Sequence, residues 1–160
     1  MADNAHAVRI CKFAMPTVEK TALLPYPSQH LFELVDTVER YPEFLPWCRS
    51  TRVTHRDESV TRATLEIDFR GIRQSFTTEN TKSGTERMGL RLVEGPFRRL
   101  DGQWTFMPLG DSGCRVSLAL DFEAASGPIA LLVAPVLSHI AETLFDRFIA
   151  RAESLAAGGA

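Results

Sequence analysis

The sequence has little of what several common function classes require. Its formal net charge is -2, so it carries no positive surplus for gripping a phosphate backbone, and we expect no DNA partner. Cys11, Cys48 and Cys114 form no CxxC or Cys/His ligand pattern, which argues against a metal site and favours reduced thiols in the cytoplasm. The longest apolar run, residues 129–137, is too short to cross a bilayer and contains Pro135.

Catalytic motifs are also missing. The sequence has no G-x-S-x-G, H-E-x-x-H, P-loop or dinucleotide fingerprint, so we predict no catalytic residue, no metal and no required cofactor. His30 and Glu33 stand three apart on a predicted helix and could form an acid/base pair, although a solvated helix face explains them more simply. His139 could donate a hydrogen bond to a ligand carbonyl or lie at the surface. An enzyme is therefore a minority hypothesis.

The length of 160 residues and a hydrophobic content of 44% suit one domain with one core. We expect a disordered leader over residues 1–14, a single domain over 15–155 and a flexible Ala/Gly tail over 156–160. Met15 is an alternative natural start.

Two periodicities divide that domain. Residues 16–24 alternate like a strand, and Ser28 is placed to cap a helix that a second short helix follows, with a break near Tyr41-Pro42. From Arg49 to Phe122 period-two segments alternate with turn residues, which predicts about six further antiparallel strands. After Gly127-Pro128 the spacing becomes helical to the end, and Pro135 should kink this helix or mark its first turn.

The hairpin joined by Arg70-Gly71 has a register that can be read from the sequence. A two-residue turn places Phe69 opposite Ile72, and it continues through the pairs Ile67–Gln74, Leu65–Phe76 and Ala63–Thr78 on one face. The other face then pairs Asp68 with Arg73 and Arg62 with Glu79. A slip of one residue would destroy both the apolar and the charged pairs.

The apolar face of this sheet needs a cover, and the C-terminal helix is the only large one available. We predict an α+β fold in which a curved antiparallel sheet of about seven strands surrounds that helix, with two short helices after the first strand. The space between sheet and helix should form an apolar cavity, or the same side chains could simply pack as core. The predicted lining is Leu65, Ile67, Gln74, Phe76, Leu90, Leu92, Trp104, Phe106, Leu118, Leu120, Leu137, Ala141, Leu144 and Phe148.

Three segments resemble signature stretches of one family. They are FRGIRQSFTTENT at Phe69–Thr81, RLVEGPFRRLDGQWTFMPL at Arg91–Leu109 and PEFLPWC at Pro42–Cys48. Together they resemble the polyketide cyclase/coenzyme Q-binding START-like family, over about residues 15–151. The resemblance implies a helix-grip (START-like, Bet v 1-like) fold with a hydrophobic tunnel. It also implies coenzyme Q binding in the respiratory branch and inhibition of ribosomal subunit joining in a bacterial ribosome-association toxin branch.

Several residues are candidates for the cavity mouth or for contact with a partner. Gly95-Pro96 forces a turn, and Phe97 beside Arg98 and Arg99 makes an amphipathic tip that suits lipid headgroups or ribosomal RNA, or is an ordinary solvated hairpin. The family pattern places Trp47 at the mouth as well. Gln74 is the inward polar side chain of its strand and could orient a ligand carbonyl.

Three functions follow as hypotheses. The first is noncatalytic binding of ubiquinone (coenzyme Q) or a related lipid in support of respiration, by a cytoplasmic protein with transient contact at the inner membrane. The second is binding to the large ribosomal subunit, and the third is a polyketide cyclase or aromatase reaction, suggested by the fold family alone.

Overall fold

The structure is a computed structural model that describes residues 17–125 and 127–159. The predicted leader and Met15 lie outside the described residues. The first strand is followed by two short helices, six further strands and one long helix. In chain order these elements are β1 (Thr17–Leu24), α1 (Ser28–Asp36), a 3₁₀ helix (Val38–Glu43), β2 (Cys48–Arg56), β3 (Val60–Phe69), β4 (Ile72–Ser83), β5 (Arg87–Glu94), β6 (Phe97–Leu109), β7 (Gly113–Ala124) and α2 (Pro128–Gly159).

All seven strands belong to one antiparallel sheet in the order β1-β7-β6-β5-β4-β3-β2. Among the described strands, only β1 and β7 pair although they are distant in sequence. The sheet is therefore a meander from β2 to β7, with β1 added at the edge beside β7. α2 packs on the inner face, where Phe145 and Phe148 contact the ring of Trp104 with centroids 5.9 and 5.2 Å away. The predicted helix-grip architecture is confirmed. No helix within the described ranges is both long and apolar enough to cross a membrane.

The β3–β4 hairpin has the predicted register at every position, from Phe69 opposite Ile72 to Val60 opposite Thr81. Arg70 and Gly71 both have positive φ, 54° and 82°, as a type I′ turn requires. On the outer face Arg62 lies 2.7 Å from Glu79 and Arg73 lies 3.3 Å from Asp68. The charge pairs inferred from the sequence are therefore present.

Several predicted helix boundaries were wrong. Ser28 is the first helical residue rather than the cap, because the chain enters the helix at Pro27 with extended backbone. α1 ends at Asp36, and the hydroxyl of the following Thr37 donates to the carbonyl oxygen of Glu33, so the break precedes the 3₁₀ helix that contains Tyr41-Pro42. α2 extends from Pro128 to Gly159, as the helical spacing after Gly127-Pro128 predicted, and Pro135 lies inside it rather than in its first turn.

The 3₁₀ helix is tied to its surroundings by side chains at both of its ends. Arg56 of β2 reaches Glu39 at 2.6 Å and also donates to the carbonyl oxygen of Asp36. At the other end Arg151 of α2 bonds to Glu43 and lies 5.2 Å from the ring of Phe44. These contacts hold the 3₁₀ helix between the sheet and the end of α2, where it closes the core.

Candidate functional site: an apolar cavity between sheet and helix

A cavity of about 80 Å³ lies between the inner face of the sheet and α2. Its walls come from β3 to β7, from α2, and from the 3₁₀ helix with the turn that follows it. The lining residues are Val38, Tyr41, Trp47, Leu65, Ile67, Phe76, Thr78, Asn80, Leu90, Phe97, Leu100, Trp104, Leu120, Phe122, Leu137, Ile140, Ala141, Leu144 and Phe148.

Aromatic side chains close the cavity beneath the 3₁₀ helix. Phe148 contacts three other rings edge to face, those of Tyr41, Phe44 and Trp104, with centroids between 5.1 and 5.2 Å away. Such offset contacts fix ring positions by more than burial alone. The Tyr41 hydroxyl donates to the carbonyl oxygen of Val35, so this buried polar atom is satisfied. This end of the cavity is consequently a well-packed wall.

The predicted lining residues fall into two groups. Ten of the fourteen line the cavity, and they come from both the sheet and α2. These ten are Leu65, Ile67, Phe76, Leu90, Trp104, Leu120, Leu137, Ala141, Leu144 and Phe148. The structure therefore brings together most of the side chains that the alternation placed on one face.

The other four, Gln74, Leu92, Phe106 and Leu118, do not line it. Phe106 and Leu118 are fully buried core, and the ring of Phe106 packs edge to face on Phe32 of α1 at 5.6 Å. Alternation identifies the face of a strand but not which helix covers each part of it, and at Phe106 that helix is α1. Gln74 and Leu92 are half-buried beyond the lining, so the structure does not bring Gln74 to the cavity wall with the other predicted residues.

The predicted rim residues also divide. Trp47 is buried rather than at a rim, with only 3% of its surface exposed, and it lines the cavity. Phe97 lines the cavity too, edge to face with Phe76 at 5.6 Å. The turn beside it needs glycine, because Gly95 has φ of 155° and a Cβ there would lie 2.5 Å from that of Phe76. Phe76, Gly95 and Phe97 therefore pack closely together beside the cavity.

Arg98 and Arg99 are exposed on β6, and both lie near carboxylates. Arg98 is 3.9 Å from Glu123, and Arg99 is 3.6 Å from Asp101 and 3.8 Å from Asp121. These acidic neighbours offset the positive charge of the two arginines.

Seven lining residues were missed: Val38, Tyr41, Thr78, Asn80, Leu100, Phe122 and Ile140. Thr78 and Asn80 could have been found, because they continue the inward alternation of β4 beyond Phe76. Leu100, Phe122 and Ile140 also lie at inward positions of predicted elements. Val38 and Tyr41 come from the 3₁₀ helix; Val38 continues the helical spacing of Leu31 and Val35, but that spacing does not show that the residue lines the cavity.

The described residues that line the cavity include no Asp, Glu, His, Lys or Arg. Burial raises the pKa of Tyr41, and the nearby Asp36 adds to this, so its hydroxyl stays protonated. The candidate acid/base residues lie elsewhere: His30 and Glu33 are exposed on α1, and His139 is exposed with its ring stacked on Phe69 at 5.1 Å. The cavity therefore offers apolar surface and neutral hydrogen-bonding groups.

Known proteins are similar to this chain over most of its length. The ribosome association toxin RatA of Pseudomonas aeruginosa is 39% identical over 138 residues, which is 86% of this chain and 96% of the toxin. The mitochondrial coenzyme Q-binding protein coq10 of Schizosaccharomyces pombe is 29% identical, over 82% of this chain and 83% of that protein.

A solved structure has the same fold at low sequence identity. The Zhui aromatase/cyclase of Streptomyces sp. R1128 superposes with a TM-score of 0.73 and 18% identity, covering 91% of this chain and 99% of that one. At this identity the likeness concerns the fold alone. Residues 24–149 match the family described as polyketide cyclase / dehydrase and lipid transport. Since that match spans most of the sequence, the chain belongs to the polyketide cyclase/dehydrase and lipid transport family.

Proposed function

We propose that the protein binds a hydrophobic ligand in the cavity without changing it chemically, and that the ligand is ubiquinone or a related isoprenoid lipid. The observation that carries this proposal is the lining itself, which is apolar and aromatic, with a few neutral polar groups. Ligand sites are typically built in this way. The printed name of the coq10 relative, a coenzyme Q-binding protein, supports the choice of ligand.

The size of the cavity limits how such a ligand can bind. About 80 Å³ is far below the roughly 300–1,000 Å³ of sites for drug-sized ligands. A quinone ring can therefore enter only if lining side chains or the start of α2 move. The long tail then leaves through the mouth beside Phe97. Desolvation of the ring and the first part of the tail supplies affinity at about 25 cal/mol per Å² of apolar surface.

The first two turns of α2 are suited to such a movement. Pro135 has no backbone N–H, so the carbonyl oxygen of Leu131 receives no helical hydrogen bond from it. Leu131 and Leu132 are 81% and 66% exposed, whereas the adjacent Val133 is buried, so one side of this segment has no packing contact at these two leucines. Two exposed leucines also offer an apolar contact to a membrane from which the ligand would be loaded. We infer a cytoplasmic protein that contacts the inner membrane transiently through this segment.

Tryptophan fluorescence can test ligand binding directly. The chain has two tryptophans, and both Trp47 and Trp104 line the cavity. Added decyl-ubiquinone should quench their emission in a saturable way, because a quinone in the cavity lies against both indoles. Quenching that rises linearly without saturation, as for free tryptophan, would remove the proposal.

A second candidate function is association with the large ribosomal subunit, as a toxin that blocks subunit joining. The 39% identity with a ribosome association toxin over nearly its full length favours it. The acidic neighbours of Arg98 and Arg99 weaken the predicted phosphate-binding tip. Cosedimentation with isolated large subunits at low salt tests this function. Comigration that Arg98→Glu and Arg99→Glu abolish would support a contact at the tip, and no comigration would exclude the function.

A cyclase reaction is the weakest of the three hypotheses. Moving protons on a poly-β-ketone requires an acid or base in contact with the substrate. The described lining residues supply no carboxylate, imidazole or amine. Turnover of a model polyketide thioester by the purified protein would support the cyclase hypothesis.

A further inference from the structure

The inward side of β4 changes from apolar to polar along the strand. Phe76, Thr78 and Asn80 alternate on that side and line the cavity, and Lys82 follows them with a side chain only 6% exposed. Phe76 packs against Phe97, and Asn80 lies opposite Thr61 on the neighbouring strand, toward the end of the hairpin that is remote from its turn. The polar side chains of β4 therefore lie beyond Phe76 along the strand.

Asn80 has a buried acceptor without a hydrogen-bond partner in the described ranges. Its residue is 5% exposed, and Nδ2 lies 3.6 Å from the sulfur of Met88. A thioether can only accept a hydrogen bond, so the amide nitrogen faces Met88 and Oδ1 points away from it. Within the described part of the chain Oδ1 has no hydrogen-bond partner. Leaving a buried acceptor unpaired is unfavourable, so a donor from a ligand would stabilise this arrangement.

Trp47 carries the opposite kind of hydrogen-bonding group, a buried donor. Its indole is 3% exposed and lines the same cavity, and Nε1 has no hydrogen-bond partner among the described residues. An indole nitrogen can only donate. Two residues of the cavity lining thus carry one buried acceptor and one buried donor that have no partner among the described residues.

We propose that these two atoms hydrogen-bond to different oxygens of the ligand ring, since Trp47 and Asn80 lie at opposite ends of the β3–β4 hairpin, and that they select a hydroxylated ring over a ring with carbonyl oxygens alone. This inference rests on the proposed ligand-binding function. A quinone oxygen only accepts, so it can satisfy Trp47 but not Asn80. A hydroquinone hydroxyl both donates and accepts, so the reduced ligand can satisfy both atoms. The protein then prefers the hydroquinone.

The test compares three ligands that share one tail: decyl-ubiquinol, decyl-ubiquinone and decylbenzene, which has no oxygen. Dissociation constants are measured without oxygen for the unmodified protein, Asn80→Leu, Trp47→Phe and the control Thr81→Leu, whose side chain is exposed on β4. The unmodified protein and the control should bind the quinol about tenfold more tightly than the quinone, as expected for one satisfied buried acceptor.

The two cavity variants should act differently. Asn80→Leu should bring the quinol and quinone affinities together and leave decylbenzene unaffected. Trp47→Phe should weaken both oxygen-bearing ligands and keep their ratio, because both accept from the indole. Equal binding of quinol and quinone by the unmodified protein, which needs no variant to fold, would overturn this inference while leaving the proposed function intact. If none of the three ligands binds, both this inference and the proposed ligand-binding function are wrong.

Discussion

Lys82 Nζ lies 3.3 Å from Oδ2 of Asp36, and the two residues are 46 positions apart in the sequence. The ammonium side chain is 6% exposed and the carboxylate 19%, so this ion pair is largely withdrawn from solvent. The hydroxyl of Thr61, which is itself buried, donates to Oδ1 of Asp36 at 2.8 Å. The pair therefore fixes the end of α1 to the sheet, immediately before the 3₁₀ helix that supplies Val38 and Tyr41 to the cavity.

Removal of the Asp36 charge should destabilise the fold strongly. Asp36→Asn leaves the ammonium of Lys82 buried without its counter-charge, and breaking a buried pair in this way costs about 3 kcal/mol. Urea unfolding followed by circular dichroism measures the loss. The control is Asp68→Asn, because Asp68 pairs with Arg49 and Arg73 at an exposed site where a pair contributes less than about 1 kcal/mol. Equal losses of unfolding free energy in the two variants would contradict a stabilising role of the buried Asp36–Lys82 pair.

A Gly→Ala substitution should destabilise the protein in the turn of the β3–β4 hairpin but not on β5. Gly71→Ala forces a Cβ into φ of 82°, and because no atom lies within 4 Å, the expected loss of about 1 kcal/mol is purely conformational. Gly89→Ala on β5 adds the same methyl group where φ is not positive and the nearest atom is 3.9 Å away. Thermal unfolding should show a lower midpoint for the first variant only. A matching drop in the second would mean that the turn conformation is not the cause.

Filling the cavity should separate ligand binding from folding. Ala141 is buried on α2 and lines the cavity, so Ala141→Leu places a larger apolar side chain in the space that the ligand ring needs. We expect saturable quenching by decyl-ubiquinone to weaken at least about tenfold, with the unfolding free energy changed by less than about 1.5 kcal/mol. Ala150→Leu, on the exposed side of the same helix, is the control and should bind normally. Undiminished binding by Ala141→Leu would place the ligand elsewhere.

The fold should lose stability in acid over a defined range. The hydrogen bond from Arg56 lowers the pKa of Glu39 below 4.5, and the hydrogen bonds of His55 and of the Ser59 and Val60 amides lower the pKa of Asp57 from 3.8 to about 2. Both pKa values are lower in the folded protein, so the unfolded chain binds more protons in this range. Stability present above pH 4.5 should therefore fall as the pH drops from there toward about 2.

Urea midpoints measured at intervals across this range test the acid dependence. Glu39→Gln should flatten the upper part of the decline, because the variant has no carboxyl group to protonate at that position. Glu153→Gln, on an exposed part of α2, serves as the control and should keep the slope of the unmodified protein. An unchanged slope in Glu39→Gln would show that its bond to Arg56 contributes nothing.

The sequence predicted the features that depend on local periodicity and turn chemistry. The β3–β4 register could be derived because apolar pairs and charge pairs fix it from both faces at once, as for Leu65 with Phe76 and Arg62 with Glu79. The position of α1 over Phe106 could not be derived from the sequence, because the alternation of apolar residues carries no information on which helix covers a strand. The burial of Trp47, which we expected at the mouth, could not be predicted either. Trp47 lies in the turn after the 3₁₀ helix, and the position of that helix depends on Arg56 and Arg151, both distant in the sequence.

Native mass spectrometry of the protein purified from a quinone-producing bacterium, with lipid extraction of the same sample, shows directly whether the protein carries a quinone in its cavity. We expect a stoichiometric adduct whose mass matches an isoprenoid quinone or quinol, and the loss of that adduct in Ala141→Leu but not in Ala150→Leu. A well-folded protein that carries no lipid, and that forms no adduct when quinone and quinol are added, would contradict it.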